Sequence, residues 1–334
     1  MRKEISFGLD IGDQSLKVLQ LQAHHNKPRL KGFAEITLPP GLIQGGEILK
    51  PEEVAKHINS ALQQAHIFAR HTVVALPEAK TFIKLLNIQT HDTTPITQLI
   101  QEELTHHLPF EIDEVWWDFK IIKQQETNLL ALVGAAPKQL INTYIKLLDL
   151  AGLIPVALDL EPLAIARALI IEGSASTCTM IADLGATKST LIVANQNSII
   201  ATADGHSTGN QLTEQLAKKL AIDSADAQQM KHKFGLADGS PEYLAVVKEY
   251  TDSLINRIKA TIDFTHTHNP DYPAISEITL SGGGSLLKKL PETLSTALKI
   301  PARIANPWVN TKLGPNSTTA CGLALTALGY DHTN

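Results

Sequence analysis

The 334-residue chain has only two cysteines, Cys178 and Cys321. Both stand among apolar neighbours, which predicts buried thiols in a reducing compartment rather than a disulfide framework. No run reaches the ~18 consecutive apolar residues of a membrane-spanning helix. The opening MRKEISFGLDIGD carries positive charge but no unbroken apolar segment, and Asp10 and Asp13 follow at once, so it does not read as a secretory signal. A dense basic face is missing and the formal net charge is −5, which argues against nucleic acid as the main partner. A soluble, cytoplasmic protein is the expectation. What is present is a 43% apolar composition, ample for a core, on a length that favours two domains or subdomains.

Periodicity places the elements. Ile5, Phe7 and Leu9 alternate, Gly12 marks a turn, and Leu16, Val18 and Gln20 alternate again, which predicts a hairpin. A third strand, RLKGFAEITLP, follows a turn at Asn26 and Lys27, and LPPGLIQGGEILKPEEV predicts a loop. Val54, Ile58, Ala61, Leu62 and Ala65 recur at helical spacing behind Pro51. RHTVVALPEA predicts a buried strand. Residues 79–153 then read as strand, helix, strand, strand, helix, the order of a split βαβ module. Its last helix carries Leu140, Ile141, Tyr144, Ile145 and Leu148 on one face and stops at Gly152. Beyond it come a short strand and a helix (PVALDLEPLAIARALII), then three strands. Residues 208–274 are mostly helical, with Leu244, Val247, Leu254, Ile258 and Ile262 along one long amphipathic helix. EITLSGGGSLLKKLPETLSTAL predicts a strand, a glycine turn and a helix, and TTACGLALTALG a buried helix.

The first hairpin has a counterpart. FGLDIGDQSLKVLQL at 7–21 aligns with MIADLGATKSTLIVA at 180–194, with Asp183 under Asp10 and Gly185 under Gly12. A repeat at this separation predicts two halves of similar topology facing across a cleft. Glycine at a hairpin tip lets successive N–H groups approach phosphate oxygens. An Asp at each strand end suits a hydrated Mg²⁺, which takes few carboxylates and keeps its waters. Ser15 and Thr187 are candidate phosphate ligands, and Lys17 offers a positive charge. Gly282, Gly283 and Gly284, read between a strand and a helix N-terminus, leave bare backbone for a flat base.

LDIGDQSLK, ADLGATKST and LSGGG, in this order, resemble the phosphate-1, phosphate-2 and adenosine motifs of the actin-like ATPase fold. Within it the chain resembles the PilM family of type IV pilus assembly proteins, relatives of the division protein FtsA. That narrower likeness rests on the Pro-Phe-x-x-Asp-Glu segment at 109–114 and the Ala-Ala-Pro-Lys segment at 135–138, and it extends over nearly the whole chain.

The resemblance implies an α/β protein of two RNase H-like halves around a nucleotide cleft, with a small inserted 1C-type βαββα subdomain. It implies subdomain 1A at 1–78, joined by 154–175 and 315–334, and 1C at 79–153. Subdomain 2A would be 176–207 with 275–314, and the helical 2B would be 208–274. By position, Asp10, Gly12, Asp13, Gln14, Ser15 and Lys17 match phosphate 1, and Asp183, Gly185, Ala186 and Thr187 match phosphate 2. Gly282, Gly283 and Gly284 match the adenosine motif. Gly209 and Asn210, with Glu214 and Lys218 further along, match the stretch near ribose and base. ATP or ADP is the implied nucleotide, with Mg²⁺ held by Asp10 and Asp183 through water. Asp13 departs from the family, which has a small or hydroxylated residue there; a carboxylate beside triphosphate is costly unless Mg²⁺ or Lys17 offsets it. The implied function is a cytoplasmic ATP-binding scaffold with slow or absent turnover. It would dock the N-terminal cytoplasmic tail of an inner-membrane partner like PilN in a groove between 1A and 1C. It would touch the membrane only through that partner, with self-association into a ring or filament as a further expectation.

Two other readings remain at this stage. One is a small-molecule kinase of the same superfamily, which needs a general-base Asp beside a substrate hydroxyl; only Asp204-Gly205 offers one. The other is a filament-forming tether like FtsA, which ends in an amphipathic membrane helix, whereas this sequence closes on the polar GYDHTN. Asp159 and Glu161 are candidates for polarising a water, with an ordinary helix start as the plainer role for Glu161. His24–His25, His106–His107 and His266/His268 lack partners at metal-ligand spacing and read as surface residues. Of Trp116 and Trp117, adjacent on a strand, one should be buried and one near the surface, where it can line a peptide groove. Glu102 and Glu103 fall on the inserted helix, and Lys288 and Lys289 on a solvated helix face.

Overall fold

The computed structural model describes residues 5–24, 27–90, 94–170, 177–307 and 313–329. His25, Asn26 and the polar tail from Tyr330 lie outside these residues, as do 171–175 of the predicted domain boundary.

β1 (Ser6–Ile11) and β2 (Ser15–His24) form the predicted hairpin, followed by β3 (Lys27–Thr37). The next segment is not a plain loop: β4 (Ile43–Gln44) pairs with β5 (Glu47–Ile48). Gly45 and Gly46, both at positive φ, make that tight reversal. α1 (Pro51–Gln64) buries Val54, Ile58, Ala61 and Leu62, and β6 (His71–Leu76) lies beside β1. Then come β7 (Phe82–Gln89), α2 (Ile96–Thr105), β8 (Val115–Gln124), β9 (Asn128–Pro137) and α3 (Lys138–Leu150). These strands make a separate antiparallel sheet in the order β7-β9-β8. β10 (Ile154–Leu160) returns to pair with β6 and leads into α4 (Glu161–Leu169).

The second half repeats the plan with β11 (Cys178–Leu184), β12 (Ser189–Ala194) and β13 (Ile199–Asp204). Helices α5 (Gly209–Leu220), α6 (Ser224–Phe234) and α7 (Pro241–His268) follow, then β14 (Ile275–Ser281), α8 (Leu290–Leu298), β15 (Ala302–Ile304) and α9 (Thr318–Leu328). The two five-stranded sheets have the same order, β3-β2-β1-β6-β10 and β13-β12-β11-β14-β15. In each, the first three strands are antiparallel and the last two run parallel to the central one. The duplication read from the two hairpins thus extends to whole sheets.

Cores form on both faces. Phe7, Leu9, Leu16 and Val18 pack against α1 and α3 on one face of the first sheet. On the other face Leu19 and Leu21 meet Ala320, Ala324 and Leu325 of α9, which is buried nearly all round, as a sequence apolar on almost every side predicts. Gly322 permits close contact with α4, since a Cβ there would lie 1.8 Å from the Ala164 carbonyl oxygen. Between the halves, Ile165 of α4, Leu132 of β9 and Ile181, Ile192 and Ile199 of the second sheet share one cluster. A further core lies among α5, α6 and α7.

Two predicted apolar faces differ in detail. Ile145 of α3 and Leu244 of α7 are exposed, while Leu147 and Tyr243 are buried instead. A helix advances 100° per residue, so residues at the border of a stripe fall on either side of it.

Candidate nucleotide cleft and the adjoining groove

The parallel strands β1, β6 and β10 end together, and their C-terminal ends carry Asp10, Glu78 and Glu161. This is where open α/β sheets place ligands. In the second sheet Asp183 occupies the end of β11, beside Ser281 of β14. The Asp10 charge reaches Asp183, Glu161 acts on both, and Lys188 of the second hairpin meets Glu161 of the first half at 2.6 Å. The two acidic turns therefore converge on one site.

Burial pushes the Asp10 carboxyl up, and the Lys17 ammonium only partly offsets this. Lys17 Nζ lies 3.4 Å from Asp10 Oδ2, 3.2 Å from Ser15 Oγ and 3.8 Å from Glu35 Oε1. Burial works against the Lys17 charge as well, but Asp10 and Glu35 outweigh it and its pKa rises. Burial, reinforced by Glu161, lifts Asp183 to about 6, despite a hydrogen bond from Ser281.

Each turn is closed by its glycine. The Gly12 N–H donates to the Ser15 carbonyl and the Gly185 N–H to the Lys188 carbonyl, both at 2.9 Å. These two N–H groups, which head the tips in the sequence reading, are therefore spent on the turns themselves. The N–H groups of Asp13, Gln14, Ala186 and Thr187 have no protein acceptor among the described residues. Successive open donors of this kind are what an anion-binding turn requires. A carboxylate pair, a lysine and two open turns make a donor set that fits a magnesium-chelated polyphosphate.

Asp13 has protein partners that its place in the sequence does not announce. Its two carboxylate oxygens accept the Gly45 and Gly46 N–H groups at 2.8 and 2.9 Å, which ties the side chain to the β4–β5 turn.

The glycine triplet sits against the second turn. Gly282 has φ +75°, and a Cβ there would meet the Leu184 carbonyl oxygen at 2.5 Å, so only glycine fits. Nothing approaches a Cβ placed on Gly283, whose backbone is exposed. A helix does not begin here, contrary to the sequence reading: a four-residue 3₁₀ turn spans Gly283–Leu286 and α8 starts only at Leu290. Pro291 and the left-handed Lys289 (φ +70°) set that later start. Lys289 is thus a cap, and Lys288 donates to the Lys233 carbonyl instead of lying on a helix face.

The start of α5 adjoins the second turn, with Gly209 N–H on the Gly185 carbonyl at 3.0 Å and Asn210 N–H on Ala186 at 2.9 Å. Thr208 and Gln211 form its capping box. Asn210, Glu214 and Lys218 follow at intervals of four and share a helix face. Glu214 and Lys218 are exposed.

Asp159 and Glu161 part company. Asp159 is locked to buried Arg167 at 2.6 Å, away from the acidic turns. Glu161 faces the cleft: Lys188 Nζ lies 2.6 Å from its Oε2, and the Glu78 N–H donates to it at 3.4 Å. Glu78 also accepts from Thr190 at 2.9 Å. Sequence reasoning missed Glu78, Lys188, Thr190, Ser281 and Lys231. The repeat itself contained a signal for two of them, because Lys188 aligns with Ser15 and Thr190 with Lys17. Lys231 is buried, donates to the Gly209 carbonyl and Thr213 Oγ1 at 2.9 and 2.7 Å, and is lowered to about 8 by burial.

Beside the cleft lies a cavity of about 420 Å³. Its walls come from β8 and β9, from β10 with α4, and from Asn195–Ile199 of the second half. Trp116 stands exposed at its mouth with Lys138 Nζ 5.1 Å from the ring centroid, while Trp117 packs inward on Phe119.

Among the described residues no helix is long and apolar enough to cross a membrane. His107 pairs with Glu103 at 3.0 Å and contacts Lys84, Glu102 accepts from Gln98, and His268 stacks on Phe264.

Two matching sheets with a ligand cleft between their strand ends define an actin-like ATPase fold. The chain is similar in fold to the ethanolamine utilization protein EutJ from Carboxydothermus hydrogenoformans (TM-score 0.56, 15% identity, covering 96% of this chain and 88% of that one). It is also similar to MreB5 of Spiroplasma citri bound to ADP (TM-score 0.55, 12% identity, 97% and 96% covered). The likeness to a structure described as the PilM-PilN type IV pilus biogenesis complex is much stronger, with TM-score 0.85, 24% identity, and 98% and 99% covered. The model of the family "Type IV pilus assembly protein PilM" matches residues 8–327, and the chain belongs to that family.

Proposed function

We propose that this chain is a nucleotide-binding scaffold of type IV pilus assembly that docks the cytoplasmic N-terminal tail of a PilN-like inner-membrane protein. The observation that carries the nucleotide half is the convergence of Asp10 and Asp183 from two matching turns on one buried site. Asp10, Asp183, the tip N–H groups and Lys17 would hold the phosphates and their Mg²⁺, which supplies charge neutralisation when bound. Gly209, Asn210, Glu214, Lys218 and the Gly282–Gly284 turn would border the nucleoside. MreB5 with bound ADP, a protein of the same fold, supports this reading.

The groove supports the partner half. It lies between the inserted sheet, which we assign as subdomain 1C (79–153), and the β10–α4 region of 1A. We assign the rest of the first half to 1A, the second sheet to 2A, and α5 to α7 to 2B. The 420 Å³ cavity is large enough for a few apolar side chains, and Trp116 offers an aromatic anchor at its mouth. The second half supplies one wall through Asn195–Ile199, so the groove draws on both halves. Association with the membrane would then be peripheral, through the partner. Asp204, the base a kinase reading requires, is 66% exposed and engaged with His206, which favours the scaffold.

The test is titration of a labelled peptide spanning the cytoplasmic tail of a PilN protein. Trp116→Ala should weaken binding about tenfold or more while leaving the melting temperature unchanged. Equal affinity for both proteins, or no binding to either, refutes the groove assignment.

A further inference from the structure

Lys188 closes the second turn, and its counterpart in the first turn is Ser15. The duplicated corner thus carries a hydroxyl in one half and an ammonium in the other. That ammonium leaves its own half. It reaches Glu161 Oε2 at 2.6 Å and Glu78 Oε2 at 3.1 Å, both on the first half. Thr190 Oγ1 steadies Glu78, and the Glu78 N–H donates to the Glu161 oxygen that Lys188 holds. One oxygen of Glu161 therefore has two donors. Burial opposes the Lys188 charge, but Glu161 and Glu78 outweigh it, so the side chain stays an ammonium.

We propose that Lys188 is a positioning residue that restrains nucleotide hydrolysis by holding the Glu161 carboxylate in a cross-cleft ion pair. This rests on reading the cleft as a Mg-nucleotide site. Glu161 is the carboxylate placed to act on a water: it opens α4 at the strand ends that also carry Asp10 and Glu78, and its side chain reaches the second turn at Lys188. The Glu161 Oε2 already accepts from Lys188 Nζ and from the Glu78 N–H, so that oxygen is taken and is not open to accept from a water. In the restrained step a water oxygen forms a bond to the γ-phosphorus as the bond from that phosphorus to the β–γ bridging oxygen breaks. ADP departs with the electron pair, the water proton passes to Glu161, and solvent then takes it up. Water and ATP are the only reactants, and ADP, phosphate and a proton are the products.

The experiment compares full-length wild-type, Lys188→Met, Lys188→Gln, Lys188→Arg, Glu161→Gln and the Lys188→Met/Glu161→Gln double variant. Calorimetry with Mg-ATP comes first; absence of wild-type binding overturns the nucleotide reading itself. Given binding, single-turnover hydrolysis should rise about tenfold or more in Lys188→Met and Lys188→Gln, the low end of what a general base contributes. Lys188→Arg should restore the slow rate, and the double variant should fall back to the rate of Glu161→Gln. In the protein without nucleotide, urea unfolding supplies an independent reading. Lys188→Met should lower the midpoint more in the wild-type background than once residue 161 is Gln, where only the Glu78 contact is left to lose. A Lys188→Met or Lys188→Gln protein that binds Mg-ATP and hydrolyses it no faster than wild type overturns the proposal. So does an additive double variant.

Discussion

Asp10 and Lys17 are partners in the β1–β2 ladder and their side chains meet at 3.4 Å, whereas at the equivalent step of the second ladder Asp183 is opposite Thr190. The duplication kept the carboxylate and put an ammonium directly opposite it in only one copy. Burial pushes both carboxyls up, Asp10 with an ammonium against it and Asp183, without one opposite it in the ladder, to about 6.

Asp183→Asn should therefore stabilise the protein in the absence of nucleotide at pH 8. The Asp183 pKa lies above its unfolded value, so its contribution is fully present below pH 3.8 and is lost as pH rises through about 6. A two-unit shift corresponds to at most roughly 3 kcal/mol. Melting temperatures from pH 4 to 8 should show the wild type losing stability relative to the variant, while the variant gains less from added Mg-ATP.

Lys231 predicts the alkaline counterpart. Its folded pKa of about 8 lies below the ordinary lysine value of 10.5, so the folded state binds fewer protons between those values. Stability from this group therefore rises with pH across that window. The stability of wild type relative to Lys231→Met, measured by urea unfolding from pH 7 to 10, should increase steadily. A flat difference would show that the buried ammonium costs nothing.

Arg167→Ala should be severe. It leaves Asp159 with its main ion-pair partner removed at a buried position, a change that typically costs about 3–5 kcal/mol. Asp159→Asn should reduce stability yet leave nucleotide affinity unchanged, as calorimetry would show.

Gly322→Ala should destabilise through the close approach of α9 to α4. The added Cβ would sit 1.8 Å from the Ala164 carbonyl oxygen, so the helices must separate. A loss of about 1–3 kcal/mol or more is expected for such overpacking, read from the denaturation midpoint.

The paired hairpins were legible because alternating apolar residues and a glycine turn are local signals, and their recurrence exposed the two-half plan. The inserted module was legible for the same reason, since each of its elements has its own period. Partnerships made across long sequence separations were not. Asp13 looked like a misplaced charge because Gly45 and Gly46, which bind it, lie 32 and 33 residues away. Asp159 and Glu161 looked equivalent two residues apart, but the strand ends between them, one side chain meeting Arg167 and the other Lys188. The start of α8 was misplaced because SLLKKL has helical composition while Pro291 and the backbone at Lys289 decide where the helix begins.

The central claim is that the two matched turns act on one ligand. Calorimetric titration of Mg-ATP into wild type, Asp10→Ala and Asp183→Ala tests it most directly. Each substitution should weaken binding by about tenfold or more, since a charge-assisted contact contributes about 1.5–3 kcal/mol and about 1.4 kcal/mol is a factor of ten. Wild-type affinity in either folded variant would contradict the account.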